Sequence, residues 1–227
     1  MFWAYGDRTP TMCREELLIA VTFCLKKTQS RRTQNYFASC QKGNENLNKQ
    51  VLFIQGAGKG AYEEDGKLVK SLRERLGTEY NVRYPKMPEE EDQGYEAWKA
   101  LLSKELGALE GNAILVGHSV GSSMLLKYLS EENVKTAIAG IFLIAAPYWG
   151  AGGWQMDEFT LDEGSASEIL KGLPVFLYHS RDDDIVPFAH LAWHAEKFPQ
   201  ATIREFDGRG HQFNNDLSEV AADIKGL

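Results

Sequence analysis

Short, uninterrupted apolar runs separated by helix-like stretches constrain this chain more than any other feature. Val51-Leu52-Phe53-Ile54 is apolar at every position and ends at Gly56 and Gly58. Such a run lacks the alternation of a half-exposed strand and marks a strand buried on both faces, the habit of parallel sheets. Ala113–Val116, Ala137–Ala145 and Val175–Tyr178 repeat the pattern, with Tyr80–Tyr84 and Thr202–Phe206 as shorter strands. Between them lie helical periods at Leu68–Leu76, Gln93–Leu109, Gly121–Ser130, Ser165–Leu170, Phe188–Phe198 and Leu217–Ile224. In the second of these, Trp98, Leu102, Leu106 and Leu109 recur along one face. Six strands largely alternating with helices predict a three-layer α/β/α sandwich with a mainly parallel six-stranded sheet and right-handed crossovers.

The 227 residues, 43% of them hydrophobic, suffice for one substantial core. The composition divides near residue 50. Residues 1–50 hold eight Lys or Arg against four Asp or Glu, whereas the whole chain has a net charge of -7. We therefore read residues 1–49 as a leader of uncertain structure and residues 50–227 as the regular domain. Leu17–Leu25 is too short to span a bilayer, which needs about 20 apolar residues. Glu15 and Glu16 before it and Lys26 and Lys27 after it give the wrong charge order for a secretory signal. No integral membrane association is expected. The acidic balance gives no reason to expect a nucleic-acid partner. Cys13, Cys24 and Cys40, an odd set without CxxC spacing, point to a reducing, cytoplasmic setting rather than a disulfide framework or a zinc site.

Chemistry enters at Gly117-His118-Ser119-Val120-Gly121, a G-x-S-x-G sequence where the third buried strand meets a helix. A tight turn there lifts a serine hydroxyl above the sheet, and the helix start directs free amides towards developing negative charge. A serine hydroxyl needs a base, and the base an orienting acid. His211 follows Gly208-Arg209-Gly210 just past the sixth strand and is the candidate base. Arg181-Asp182-Asp183-Asp184 follows the fifth strand and supplies the acid, though side-chain chemistry does not choose among its three carboxylates. His118 is expected to point away from the serine. His190 and His194, four apart on one helix, are read as surface or packing residues, since Leu191 stands where H-E-x-x-H needs glutamate.

The order Ser119, acid, His211 is that of the α/β-hydrolase fold. Residues 50–227 resemble α/β-hydrolases, and more narrowly the small serine hydrolases related to retinoblastoma-binding protein 9 and the YdeN-like proteins. The resemblance rests on Gly117 to Gly121, on His179 to Pro187 and on Gly208 to Phe213. It implies that the acid lies three residues before the valine of D-x-x-V-P, which is Asp183. It also implies an oxyanion hole from the Val120 amide and one in Gln55-Gly56-Ala57-Gly58, with Ala57 the expected donor. Many relatives carry histidine where this chain has Gln55.

Tyr148–Gly164 is the longest connection and carries Trp149, Trp154, Met156 and Phe159. It reads either as a cover over the substrate or as a surface excursion whose aromatics pack down. Gln55, Gly56, Tyr148, Trp149 and Trp154 are the candidate pocket residues. The expected activity is hydrolysis of a small acyl ester with no metal and no cofactor; Gly56-Ala57-Gly58-Lys59-Gly60 lacks the nucleotide-binding glycine spacings. Amide or thioester hydrolysis or acyl transfer would use the same residues. An interaction module with weak or no catalysis, serving an unspecified protein partner, is the alternative from another class. The acidic run Glu89-Glu90-Glu91-Asp92 would disfavour anionic substrates if it lay near the site.

Overall fold

The computed structural model of the chain describes residues 49–88, 94–156, 159–161 and 170–227. The described residues all belong to one compact unit, Leu47–Leu227. The leader with its three cysteines, the acidic run 89–92 and most of the helix read at 165–170 lie outside the described residues.

In chain order the described elements are β1 (Lys49–Ile54), α1 (Ala61–Leu76), β2 (Tyr80–Arg83), α2 (Tyr95–Gly107), β3 (Asn112–His118), α3 (Val120–Glu131), β4 (Ala137–Ile144), β5 (Val175–Ser180), α4 (Ala189–Lys197), β6 (Thr202–Phe206) and α5 (Ser218–Lys225). The strands form one parallel sheet in the order β2-β1-β3-β4-β5-β6. This is the α/β/α sandwich that the apolar runs imply.

Each buried run serves two cores at once. Leu52 and Ile54 of β1 face a cluster with Trp98 and Leu102 of α2, Leu125 of α3 and Leu191 of α4. Val51 and Phe53 face the opposite cluster, with Leu68 and Leu72 of α1 and Val220 and Ile224 of α5. Ile114 and Val116 on one face and Leu115 on the other repeat the division in β3. Every one of these strand side chains is at most 2% exposed, so a polar residue has no solvent-facing position in these runs. Full burial of such a side chain contributes roughly 1.5–3 kcal/mol.

The main revision to the helix boundaries is at α1. It starts at Ala61, seven residues before the first leucine of its apolar stripe. Gly58 (φ 106°) and Gly60 (φ 83°) take left-handed conformations that turn the chain straight from β1 into the helix. Asp65 thereby falls on the buried face beside Leu68, Val69 and Leu72.

The topology also places the site. The chain leaves β1 for β2 on one side, and β3 returns to the other side of β1. In open parallel sheets the crevice at such a reversal, beyond the carboxyl ends of the strands, is where ligands bind. The loops after β1 and β3 flank this crevice.

Candidate active site

Ser119 is the residue between β3 and α3. Its φ of 51° is left-handed, a strained state for a residue with a side chain. The surrounding backbone over-determines it. The Ser119 amide donates to the Ile144 carbonyl (2.8 Å), and its own carbonyl accepts from Ser122 N (2.9 Å). Two glycines make the turn possible. A Cβ on Gly121 would lie 2.1 Å from the Gln55 carbonyl oxygen, and one on Gly117 would lie 2.6 Å from Ser122 Cα. The close approach at Gly121 seats the serine turn directly on the end of β1.

That contact brings the Gln55–Gly58 loop to the serine. A Cβ on Gly56 would meet Ser119 Cβ at 3.2 Å. The Gly56 amide donates to Asp65 Oδ2 at 2.7 Å, which fixes the loop just before Ala57. Gln55 is fully buried, and its Oε1 accepts from Met87 N at 3.3 Å. Val120, the first residue of α3, has no partner for its amide within the helix.

Of the three adjacent carboxylates, Asp183 is the one in contact with His211. Its two oxygens lie 3.0 and 2.9 Å from His211 Nδ1. Asp183 Oδ1 also accepts from the Ile185 and Val186 amides (2.9 and 2.8 Å). His179 Nε2 stands 3.4 Å from Oδ2 and donates to the Val186 carbonyl at 2.8 Å. Burial would push the Asp183 carboxyl up, but the hydrogen bonds from His179, His211 and Val186 outweigh it and hold it well below the usual carboxylate range. Asp183 is therefore ionised at neutral pH, and Nδ1 of His211 carries the proton that faces it. The other ring nitrogen, Nε2, is left as the basic one.

Asp182 holds the backbone that carries His211. Its Oδ1 accepts from the Ser180 hydroxyl and from the Arg209 and Gly210 amides (3.2 and 3.3 Å). Asp184 is exposed. The segment around His211 needs such support, because Gly208, Gly210, Phe213, Asn214 and Asn215 all have positive φ between 49° and 71°.

His118 is buried, as its position suggests, but it is not merely packed. Its Nδ1 lies 2.9 Å from Asp65 Oδ2 and its Nε2 lies 3.1 Å from the His211 carbonyl oxygen. Its ring centre is 4.9 Å from that of His211. Ser119 and His211 are thus tied together through the residue beside the serine. Asp65, and the loop-holding role of Asp182, escaped the sequence reading. Asp65 had one usable signal, an acidic residue on the same helical stripe as Leu68, Val69 and Leu72.

The aromatics after β4 pack down. Trp149 meets Trp154 and Phe159 edge to face at 5.3 and 4.9 Å, Trp154 meets His190 at 5.3 Å, and Tyr148 meets His194 at 5.3 Å. The ring contacts of Tyr148, Trp149 and Trp154 thus run to one another, to Phe159 and to α4. His190 and His194 are buried in this cluster. Tyr148 N donates to His190 Nδ1 at 2.7 Å, which leaves the His190 proton on Nε2. Beside Trp149 and His194 remains a cavity of about 10 Å³, also lined by Ser123, Leu126 and Leu161. It has room for one water at most.

The parallel sheet, the serine turn at the end of β3 and the acid and histidine after β5 and β6 define an α/β-hydrolase. Residues 64–217 match the serine hydrolase family, and the chain belongs to that family as a YdeN-like hydrolase. The YdeN protein of Bacillus subtilis (strain 168) is 31% identical over 135 residues, 58% of this chain and 67% of that protein. The crystal structure of the same ydeN gene product superposes with a TM-score of 0.65 at 27% identity, covering 78% of this chain and 97% of that one. The esterase domain of a Rhodothermus marinus protein shares the fold, with a TM-score of 0.55 at 19% identity over 80% of this chain and 85% of its own. Among the described residues no helix is long and apolar enough to cross a membrane.

Proposed function

We propose that this hydrolase cleaves small carboxylic esters through an acyl-enzyme on Ser119. The observation that carries the reading is the Asp183–His211 contact, with both carboxylate oxygens within 3.0 Å of Nδ1. A histidine whose Nδ1–H faces an ionised carboxylate offers Nε2 as a base. Nε2 of His211 takes the proton of Ser119 as its Oγ attacks the ester carbonyl. The imidazolium so formed is stabilised by Asp183 and then protonates the leaving alcohol. Water enters by the reverse sequence and releases the acid. The amides of Val120 and Ala57 stabilise the oxyanion in both steps. The route draws on no metal and no cofactor.

The acyl group would lie beside Gly56 and the Gln55–Gly58 loop, which adjoins Ser119. The cysteine composition supports a cytoplasmic setting. The test is steady-state turnover of p-nitrophenyl esters from acetate to decanoate beside a thioester and an anilide of the same acyl groups. We expect ester turnover with a maximum at short or medium chains. A chain that turns over the thioester or the anilide faster than every ester would overturn the ester assignment.

A further inference from the structure

We infer that Asp65 and His118 form a buried positioning unit for the proposed reaction, in which His118 is an imidazolium that anchors the His211 loop while Asp65 anchors the oxyanion loop. This rests on the Ser119 reading above.

The argument starts from donors and acceptors. His118 Nε2 faces the carbonyl oxygen of His211, which can only accept. Its Nδ1 faces Asp65 Oδ2, which already accepts the Gly56 amide at 2.7 Å, while Oδ1 accepts from Gln212 Nε2 at 3.3 Å. A carboxylate receiving such bonds is favoured in its ionised form. Both nitrogens of His118 must then donate, and a neutral imidazole has only one N–H. His118 and Asp65 are each 1% exposed, so the charge pair is shielded from solvent. Burial pulls the His118 ring down and the Asp65 carboxyl up, but their mutual attraction and hydrogen bond prevail in both and favour the charged forms. The other titratable groups facing His118 are the ring of His211 and, farther off, Asp183.

The consequence is mechanical. The strained loop from Gly208 to Asn215 is gripped before His211 by Asp182, at His211 itself by His118, and just after it by Asp65 through Gln212. Asp65 also fixes Gly56, the neighbour of the expected oxyanion donor Ala57. One buried pair therefore sets the spacing between the base, the nucleophile turn and the oxyanion loop. It touches no reacting atom, so its role is positioning.

The test compares two amides in the full chain with p-nitrophenyl butyrate. His118→Asn keeps a donor near the Nδ1 position and loses the bond to His211. His118→Gln places a donor near the Nε2 position and keeps it. We expect H118N to lose on the order of 10²-fold in kcat with little change in KM, the usual cost of a base displaced by about 1 Å. H118Q is expected to recover most of that loss. Wild-type kcat in H118N, or equal losses in the two variants, would overturn the positioning role while leaving the serine mechanism standing. Should either variant fail to fold, nitrogen-15 NMR of histidine-labelled wild type decides the charge state. Both ring nitrogens of His118 are expected to carry protons at neutral pH, and a singly protonated His118 would overturn the inference. Wild type without turnover or fluorophosphonate labelling would overturn the proposed function and the positioning role together.

Discussion

Asp182 and Asp183 are neighbours in the chain but hold different parts of the same loop. Asp183 faces the His211 ring with both oxygens, and Asp182 takes the Arg209 and Gly210 amides that lead into it. The two roles separate in activity. Asp183→Asn removes the charge opposite Nδ1 and disturbs the tautomer, and we expect acylation to slow by about 10³–10⁴-fold. Asp182→Ala loosens only the approach to His211, and we expect a loss of roughly tenfold, in keeping with a small misplacement of the base. Rates of fluorophosphonate labelling measure both. A larger loss in D182A than in D183N would reverse the assignment.

The two glycines of the Ser119 turn differ from a glycine with room around it. In Gly121→Ala the new Cβ meets backbone at 2.1 Å, where no side chain can yield. We expect a destabilisation of about 3 kcal/mol or more, and a melting temperature lower by roughly 6–12 °C. Gly66 lies inside α1, and a Cβ there would meet nothing closer than Tyr84 Cε1 at 4.0 Å. Gly66→Ala should therefore stabilise by about 0.4–1 kcal/mol. Thermal melts of the two variants, compared with wild type, check the contrast. Equal melting temperatures would mean that the turn adapts to a side chain at Gly121.

His194 makes stability fall in mild acid. Burial pulls its pKa from 6.5 down to about 4, against the backbone carbonyls of Pro147 and Ala146, which favour the charged ring. Between those values the unfolded chain binds the proton and the folded chain does not. Its contribution is thus full above pH 6.5 and fades as the pH falls towards 4. The expected loss between pH 7 and pH 5 is about 2 kcal/mol from this residue. The buried His190, shifted in the same direction, adds to it. His118 acts in the opposite window. Its raised pKa gives stability that is complete below 6.5 and fades as the pH rises through the folded value. Urea unfolding at pH 7 and pH 5 is the measurement. His194→Phe should show a smaller loss than wild type, and an unchanged loss would contradict the account.

The fold was largely legible because Leu52-Phe53-Ile54 and Ile114-Leu115-Val116 must bury both faces, which few arrangements other than a covered parallel sheet permit. The order of the strands was not legible, since nothing in the residues of β2 says on which side of β1 it pairs. At the site, Ser119 and His211 stood out by their glycines and by their order. The choice of Asp183 came from the spacing to Val186-Pro187 that the family resemblance supplied, and Asp183 does contact His211. Asp65 was hidden because the helix was read from its leucines, and Asp65 precedes them. The holding role of Asp182 was hidden because its partners beyond the Ser180 hydroxyl are backbone amides across the sheet edge, which leave no mark in the sequence. The aromatics from Tyr148 to Phe159 allowed two readings, and only coordinates could show them against α4.

The central claim is that Ser119 is the nucleophile. Incubation of the full chain with a fluorophosphonate, followed by peptide mass mapping, tests it most directly. We expect one phosphonyl group per chain, on Ser119, with no labelling of Ser119→Ala and greatly slowed labelling of His211→Ala. Folded wild-type protein that takes up no label, or takes it up on a residue other than Ser119, would contradict the account.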